Sequence, residues 1–184
     1  MRKLAMAALA AAALLSGCGD KNTPAADNAA AAVATDKTLA AVVADADDLG
    51  DTATLLKTAG LDKVLGGVGS YTIFAPTDAA YGAIPEAQRK AFATAEGRPQ
   101  LLALLRAHIA TGYVSRADLD QGLRTAGGRA KLATVAGQPV ELVQRGDTIT
   151  IGGGDPAARI VGEPLVARNG VVYRIDRLIA PPSD

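Results

Sequence analysis

The sequence has one cysteine, one histidine and no tryptophan among its 184 residues. A single Cys excludes an internal disulfide framework and any zinc site built on cysteines. A single His excludes a multi-histidine metal centre. Charge of one sign is also missing, with 19 basic against 19 acidic side chains. Nucleic-acid binding needs a basic patch or stripe, so no nucleic-acid partner is expected. Only four residues are Glu, and there is no Trp platform for sugar stacking. That composition argues against glycoside hydrolysis, which needs paired carboxylates in a cleft. The longest apolar run, Leu4 to Leu15, has twelve residues, whereas a bilayer span needs roughly 20.

What is present starts with an address. Met1-Arg2-Lys3 is a cationic start, followed by that short apolar run and small residues, the pattern of a secretory signal peptide. Leu15-Ser16-Gly17-Cys18 resembles the bacterial lipobox, in which cleavage precedes a cysteine that carries lipid. Residues 1–17 are therefore expected to be a lipoprotein signal peptide, with Cys18 lipidated and joined to the membrane. Gly19, rather than Asp, follows the cysteine, and by analogy with enterobacterial sorting this favours the outer membrane. The expected location is the bacterial cell envelope, facing the periplasm or the outside. Residues 18–36 contain small and polar residues and a Pro, with Val33 the one larger apolar side chain. Such a segment buries too little surface to offset its ordering entropy. It reads as a flexible tether reaching on the order of 20–25 Å.

One domain follows, over residues 37–182. Although 49% of the chain is hydrophobic, 40 residues are Ala, so core volume has to come from Leu, Val and Ile. Leu39, Val42, Val43, Ala46 and Leu49 recur at helical spacing, with Thr38 or Asp36 placed to cap. Asp51 or Thr52 opens a second helix that Gly60 stops. Leu61–Leu65 is a helical turn. Tyr71–Ala75 reads as a strand ended by Pro76, and Thr77 and Asp78 are placed to cap a helix starting at Ala79. Pro85-Glu86 opens another helix. Pro99 starts a stronger one, predicted to carry Leu101, Leu102, Leu104, Leu105, His108 and Ile109 on an apolar face before Gly112 stops it. From Leu132 the period changes to two. Strands are predicted at 132–135, 140–143, 148–151, 160–161, 165–167 and 171–175, separated by turns at Gly137-Gln138, Gly146-Asp147, Gly152–Pro156 and Asn169-Gly170. Helices first and antiparallel strands later give an α+β class. The acidic cluster Asp45, Asp47, Asp48 and Asp51 lacks the ligand ladder and closing Glu of a calcium loop and reads as a solvated connection. No metal or cofactor site is expected.

Two boxes resemble the fasciclin domain family. YTIFAPTDAAYGAIP (71–85) is similar to its first box. NGVVYRIDRLIAPP (169–182) is similar to the second. Between them, LLALLRAHIATGYV (101–114) resembles the helix that carries the family's His before a Gly turn. The resemblance covers about residues 37–182. It implies a fasciclin-type fold, a wedge-like β-sandwich with several helices packed on it. It also implies a non-enzymatic module acting by surface contact, in adhesion or association with an envelope or extracellular protein or glycan. In many members a Tyr precedes the His, and the resemblance ties that Tyr-His pair to integrin binding; here the residue before His108 is Ala107.

The chemistry-bearing residues each have a structural reading beside the functional one. His108 lies on an apolar helix face and reads as a hydrogen-bonded core histidine, with no G-x-S-x-G elbow to supply a nucleophile. Asp176 is flanked by Arg174 and Arg177 and reads as a local ion pair. Arg145-Gly146-Asp147 is an RGD tripeptide, and Gly-Asp also suits a hairpin turn. The candidate interaction surface comprises Tyr71, Thr77, Asp78, His108, Arg145, Gly146 and Asp147. The helix over 99–110 and the Val/Leu strands read as core and not as a ligand tunnel. The alternative function is a periplasmic protein binding a small molecule, lipid or glycan, which a sizeable apolar pocket would favour.

Overall fold

Helix α1 (Leu39–Ala44) starts where Thr38 Oγ1 accepts the Ala41 N–H at 3.4 Å. The structure, a computed structural model, describes residues 35–179; Cys18, the apolar leader, most of the tether and Pro181-Pro182 lie outside the described residues. Helix α2 (Gly50–Ala59) ends at Gly60 in the left-handed region, and the single turn α3 (Asp62–Leu65) follows. Strand β1 (Tyr71–Pro76) runs into α4 (Asp78–Gly82), which Thr77 caps. Helices α5 (Glu86–Phe92) and α6 (Arg98–Ala107) complete the helical half.

Helix α6 stops earlier than its apolar pattern predicts. Residues 109–111 form strand β2 (Ile109–Thr111), antiparallel to β1 with Ile73 opposite Ile109. Two of these three residues are β-branched, and a free edge of β1 gives them backbone partners that a longer helix could not. Helix α7 (Arg116–Thr125) falls in a stretch where no element was expected. Its start is a reciprocal capping box: Ser115 Oγ accepts the Asp118 N–H at 3.1 Å, and Asp118 accepts the Ser115 N–H at 3.2 Å. Leu119 and Leu123, one turn apart, are both buried.

The remaining strands are β3 (Arg129–Ala133), β4 (Pro139–Arg145), β5 (Thr148–Ile151), β6 (Ala158–Ala167) and β7 (Gly170–Ile175). The two short strands expected at 160–161 and 165–167 are one strand, β6, with a register irregularity between Val161 and Leu165. The mixed sheet has the order β2-β1-β7-β6-β5-β4-β3, with β1 and β7 parallel and every other pair antiparallel. It folds back far enough for its two edges to touch. Ala110 and Thr134 form an antiparallel bridge, and the Val135 N–H donates to Ile109 O at 2.8 Å.

Folding the sheet creates two cores. On one face Ile73, Ala75 and Val172 pack against the helices, meeting Leu39, Leu56 and Leu101. On the other, Phe74, Val171, Tyr173 and Ile175 face Leu142 and Ile151 across the fold, with α7 contributing Leu119 and Leu123. The alternation along β1 and β7 is therefore buried on both sides, as central strands require. Phe74 and Tyr173 stack with ring centroids 5.7 Å apart, and the Tyr173 hydroxyl donates to Val114 O at 3.0 Å. This is an α+β fold. No helix among the described residues is long and apolar enough to cross a membrane.

Candidate functional site

The segment from Pro76 to Asp78 joins a strand to a helix and is tied down on every side. Thr77 Oγ1 accepts the Ala80 N–H at 3.3 Å, capping α4, while the Thr77 N–H donates to Ile175 O at 3.0 Å. The Thr52 hydroxyl donates to Pro76 O at 2.6 Å. Asp78 caps a different helix from the one it begins. Its carboxylate accepts the N–H of Asp51 at 2.8 Å and of Gly50 at 3.3 Å, so it closes the N-terminus of α2. Residue 49 of α2 offers no side-chain cap of its own, and a carboxylate there also meets the positive end of the helix dipole. Tyr71 is half-buried at the head of β1. These residues are engaged in holding the fold.

Asn169 has a larger structural role than a turn residue. It is 7% exposed. Its Oδ1 accepts the Leu39 N–H at 2.8 Å, and its Nδ2 donates to Leu65 O at 2.9 Å and Gly67 O at 3.0 Å. One amide thereby joins α1, the end of α3 and the loop before β1 to the β6–β7 hairpin. The two-residue turn itself is Arg168-Asn169, one position earlier than expected, since Ala167 pairs with Gly170. Gly170 is needed for clearance: a Cβ there would collide with Tyr71 O and with the Leu39 side chain.

His108 is 3% exposed and presents nothing to a surface partner. Its Nδ1 lies 2.8 Å from Leu104 O, and its Nε2 accepts the Ile179 N–H at 3.0 Å. The carbonyl requires a proton on Nδ1 and the amide requires a lone pair on Nε2, so the neutral tautomer is fixed. Burial lowers its pKa from 6.5 to about 4, against a smaller opposite effect from the Leu104 carbonyl. With both nitrogens committed to backbone, the ring has no lone pair free to activate a nucleophile.

Asp176 does not pair with Arg174. Its carboxylate takes the Arg159 guanidinium at 2.7 Å and the Arg159 N–H at 2.8 Å, with Arg177 at 3.4 Å. Arg174 instead reaches Asp48 at 3.1 Å, and Asp45 pairs with Lys37 at 2.8 Å. Two members of the acidic cluster are thus spent on cations.

Arg145, Gly146 and Asp147 are the exposed members of the candidate set. Arg145 pairs with Thr148 in the β4–β5 register, which leaves Gly146-Asp147 as a two-residue turn. Gly146 has φ +58, the conformation such a turn demands. Among the described residues neither Arg145 nor Asp147 is in an ion pair. The tip holds both residues exposed, on either side of Gly146.

One feature was not expected. Leu101 and Leu105 of α6 are core, but Gln100, Ala103, Leu104 and Ala107, at i, i+3, i+4 and i+7, line a cleft of about 630 Å³. Phe92 of α5 and Ile179 lie against the same space, and Lys131, Pro139, Val140 and Glu141 of the β3–β4 hairpin form the facing wall. The helix 98–107 is therefore core on one side and cleft on the other. The segments that form the cleft are far apart in sequence, so the only local trace is the breadth of the α6 apolar face.

Comparison with known proteins agrees with this architecture. Residues 47–181 match the profile of the Fasciclin domain. The chain is 25% identical over 145 residues to Protein sll1483 of Synechocystis sp., covering 79% of this chain and 74% of that protein. It is 28% identical over 130 residues to the Transforming growth factor-beta-induced protein ig-h3 of Sus scrofa, covering 70% of this chain but 17% of that one. The solved FAS1 domain pair of the insect cell adhesion molecule Fasciclin I superposes with a TM-score of 0.69 at 16% identity. It covers 79% of this chain and 51% of the pair.

Proposed function

Because the chain belongs to the fasciclin domain family, we propose that it is a non-enzymatic adhesion or interaction module, held at a bacterial envelope by lipid on Cys18. The partner is an envelope or extracellular protein or glycan, met through the β4–β5 tip. The observation that carries this reading is the contrast between the candidate residues. Thr77, Asp78 and His108 are engaged in internal hydrogen bonds, while Arg145 and Asp147 stand exposed at the β4–β5 hairpin turn with no ion pair among the described residues. Surface charges held without an internal partner on an ordered turn suit recognition of a complementary surface. The insect relative described as a cell adhesion molecule lends the reading a precedent at the level of the fold.

Anchoring is proposed from the Leu15-Ser16-Gly17-Cys18 run behind a signal-like leader. Lipid on Cys18 would raise the effective concentration of the domain at the membrane, so a weak contact suffices. The test is a cross-linking pull-down from intact envelopes, comparing the native chain with a Cys18→Ala form exported by a plain signal peptide. One reproducible macromolecular partner, reduced without the anchor and reduced again by Asp147→Ala, is the expected result. Labelling by a palmitate analogue that survives Cys18→Ala would remove the anchor from the proposal.

A further inference from the structure

We propose that the cleft between α6 and the β3–β4 hairpin binds a single-chain carboxylate, a fatty acid. The acyl chain lies against Phe92, Leu104, Val140 and Ile179, and the carboxylate sits on Lys131. The site is separate from the hairpin tip and does not depend on the adhesion reading.

Size is the first argument. About 630 Å³ falls within the roughly 300–1,000 Å³ typical of sites for small organic ligands. Shape and lining are the second. Ala103 and Ala107 on α6 let a slender apolar chain approach the helix, and the buried side chains Phe92, Val140 and Ile179 carry no polar group.

Charge at the rim selects the head group. Lys131 and Glu141 are cross-strand neighbours in the β3–β4 register and both border the cleft. Glu141 is engaged by Arg129 at 3.3 Å. Lys131 is in no ion pair among the described residues, which leaves its ammonium available to a ligand in the cleft. A cleft with apolar residues along α6 and at Phe92, Val140 and Ile179, the uncharged polar side chains Gln88, Gln100, Thr134 and Gln138, and an ammonium without an ion-pair partner among the described residues matches an amphiphile with one negative charge.

The walls are also held in place before any ligand arrives. Leu104 and Ile179, on two sides of the cleft, are the two backbone partners of His108 at 2.8 and 3.0 Å. One imidazole fastens them together, so little ordering is left for a ligand to supply.

The test uses the full chain with Cys18→Ser, so that no acyl group of its own competes. Calorimetric titration is made with dodecanoate and with 1-dodecanol, which differ only in the head group. Wild type is expected to bind dodecanoate saturably. Ala103→Trp, at an exposed helix position that borders the cleft, is expected to weaken dodecanoate by more than roughly tenfold. Lys131→Glu is expected to weaken dodecanoate by roughly fivefold or more and to leave dodecanol unchanged. Far-ultraviolet circular dichroism confirms that both variants keep the fold. Absence of saturable binding to wild type overturns the proposal, as does full dodecanoate affinity in folded Ala103→Trp. Equal affinity of Lys131→Glu and wild type for dodecanoate overturns the carboxylate assignment.

Discussion

The backbone N–H of Ile179 donates to Nε2 of His108 across 3.0 Å, joining the last described residue to the end of α6. The bond exists only while the imidazole is neutral. In the unfolded chain the ring takes a proton near 6.5; in the fold it refuses one until about pH 4, because burial penalises the charge. Between those values the unfolded chain binds more protons, so stability falls as pH falls. Urea unfolding is expected to show stability full above pH 6.5 and reduced by roughly 3 kcal/mol at pH 4. His108→Leu should be less stable than wild type at pH 7, yet lack the decline between pH 6.5 and 5. A wild-type stability that is flat over that interval would show that the ring is not held neutral.

Asn169 should be among the least replaceable polar residues. Asn169→Ala leaves the Leu39 N–H and the Leu65 carbonyl without their partner, each a buried group whose loss of a bond costs about 1–3 kcal/mol. A total of about 3 kcal/mol or more is expected, read from chemical denaturation. Asn169→Asp keeps the acceptor for Leu39 but turns the donor side into a second acceptor facing carbonyls. It should be no better than Ala. Rescue by Asp would mean that the Leu39 bond alone matters.

The contrast between Thr77 and Asn169 shows what the sequence discloses. Thr77 and Thr38 each cap the helix that starts one residue later, so local spacing suffices to place them, as it does Gly60 and the turn before β5. Asn169 bonds to residues 100 or more positions away, and nothing near it announces them. The same distinction between local and long-range partners holds for whole elements of the fold. Helix α6 carries a periodic signal, but its end is decided by β1, whose edge recruits Ile109–Thr111 into a strand. Helix α7 is announced locally by Ser115-x-x-Asp118 ahead of Leu119 and Leu123, but two leucines make too narrow an apolar stripe in a polar stretch for periodicity to mark a helix. The cleft could not be read at all, since α5, α6, two strands and residue 179 meet only in three dimensions.

Asp78→Ala should unfold more easily through α2, not through α4. The carboxylate closes the first turn of α2, and loss of an N-terminal cap costs about 1 kcal/mol, up to about 2. Thr77→Ala should cost a similar amount through α4. Hydrogen exchange of the amides of Gly50 and Asp51 separates the two: it should quicken in Asp78→Ala and stay unchanged in Thr77→Ala.

Asp176 is held below its ordinary carboxylate value. Burial alone would raise it, but hydrogen bonds from the Arg159 backbone and guanidinium, and from Arg177, outweigh that effect. A depressed folded value gives stability that is present above the ordinary 3.8 and is lost as pH falls below it. The stability difference between wild type and Asp176→Asn should therefore be constant from about pH 7 to 5 and shrink below about 4. This lies on the acid side of the His108 window, so the two contributions can be told apart in one titration.

The hairpin tip offers the sharpest separation of fold from function. Arg145 and Asp147 make no ion pair among the described residues and flank a glycine whose φ of +58 sets the turn. Arg145→Ala and Asp147→Ala should each change stability by less than about 0.5 kcal/mol, as exposed substitutions away from special geometry do. Gly146→Ala should destabilise by about 1 kcal/mol or more, because an L-residue at that φ is strained. Capture of an envelope or extracellular partner should follow the opposite ranking. It should fall strongly with the two charge deletions and fall in Gly146→Ala only as far as the turn is lost. A partner captured equally by all three variants would mean that recognition uses another face of the domain, and the tip would then be turn chemistry alone.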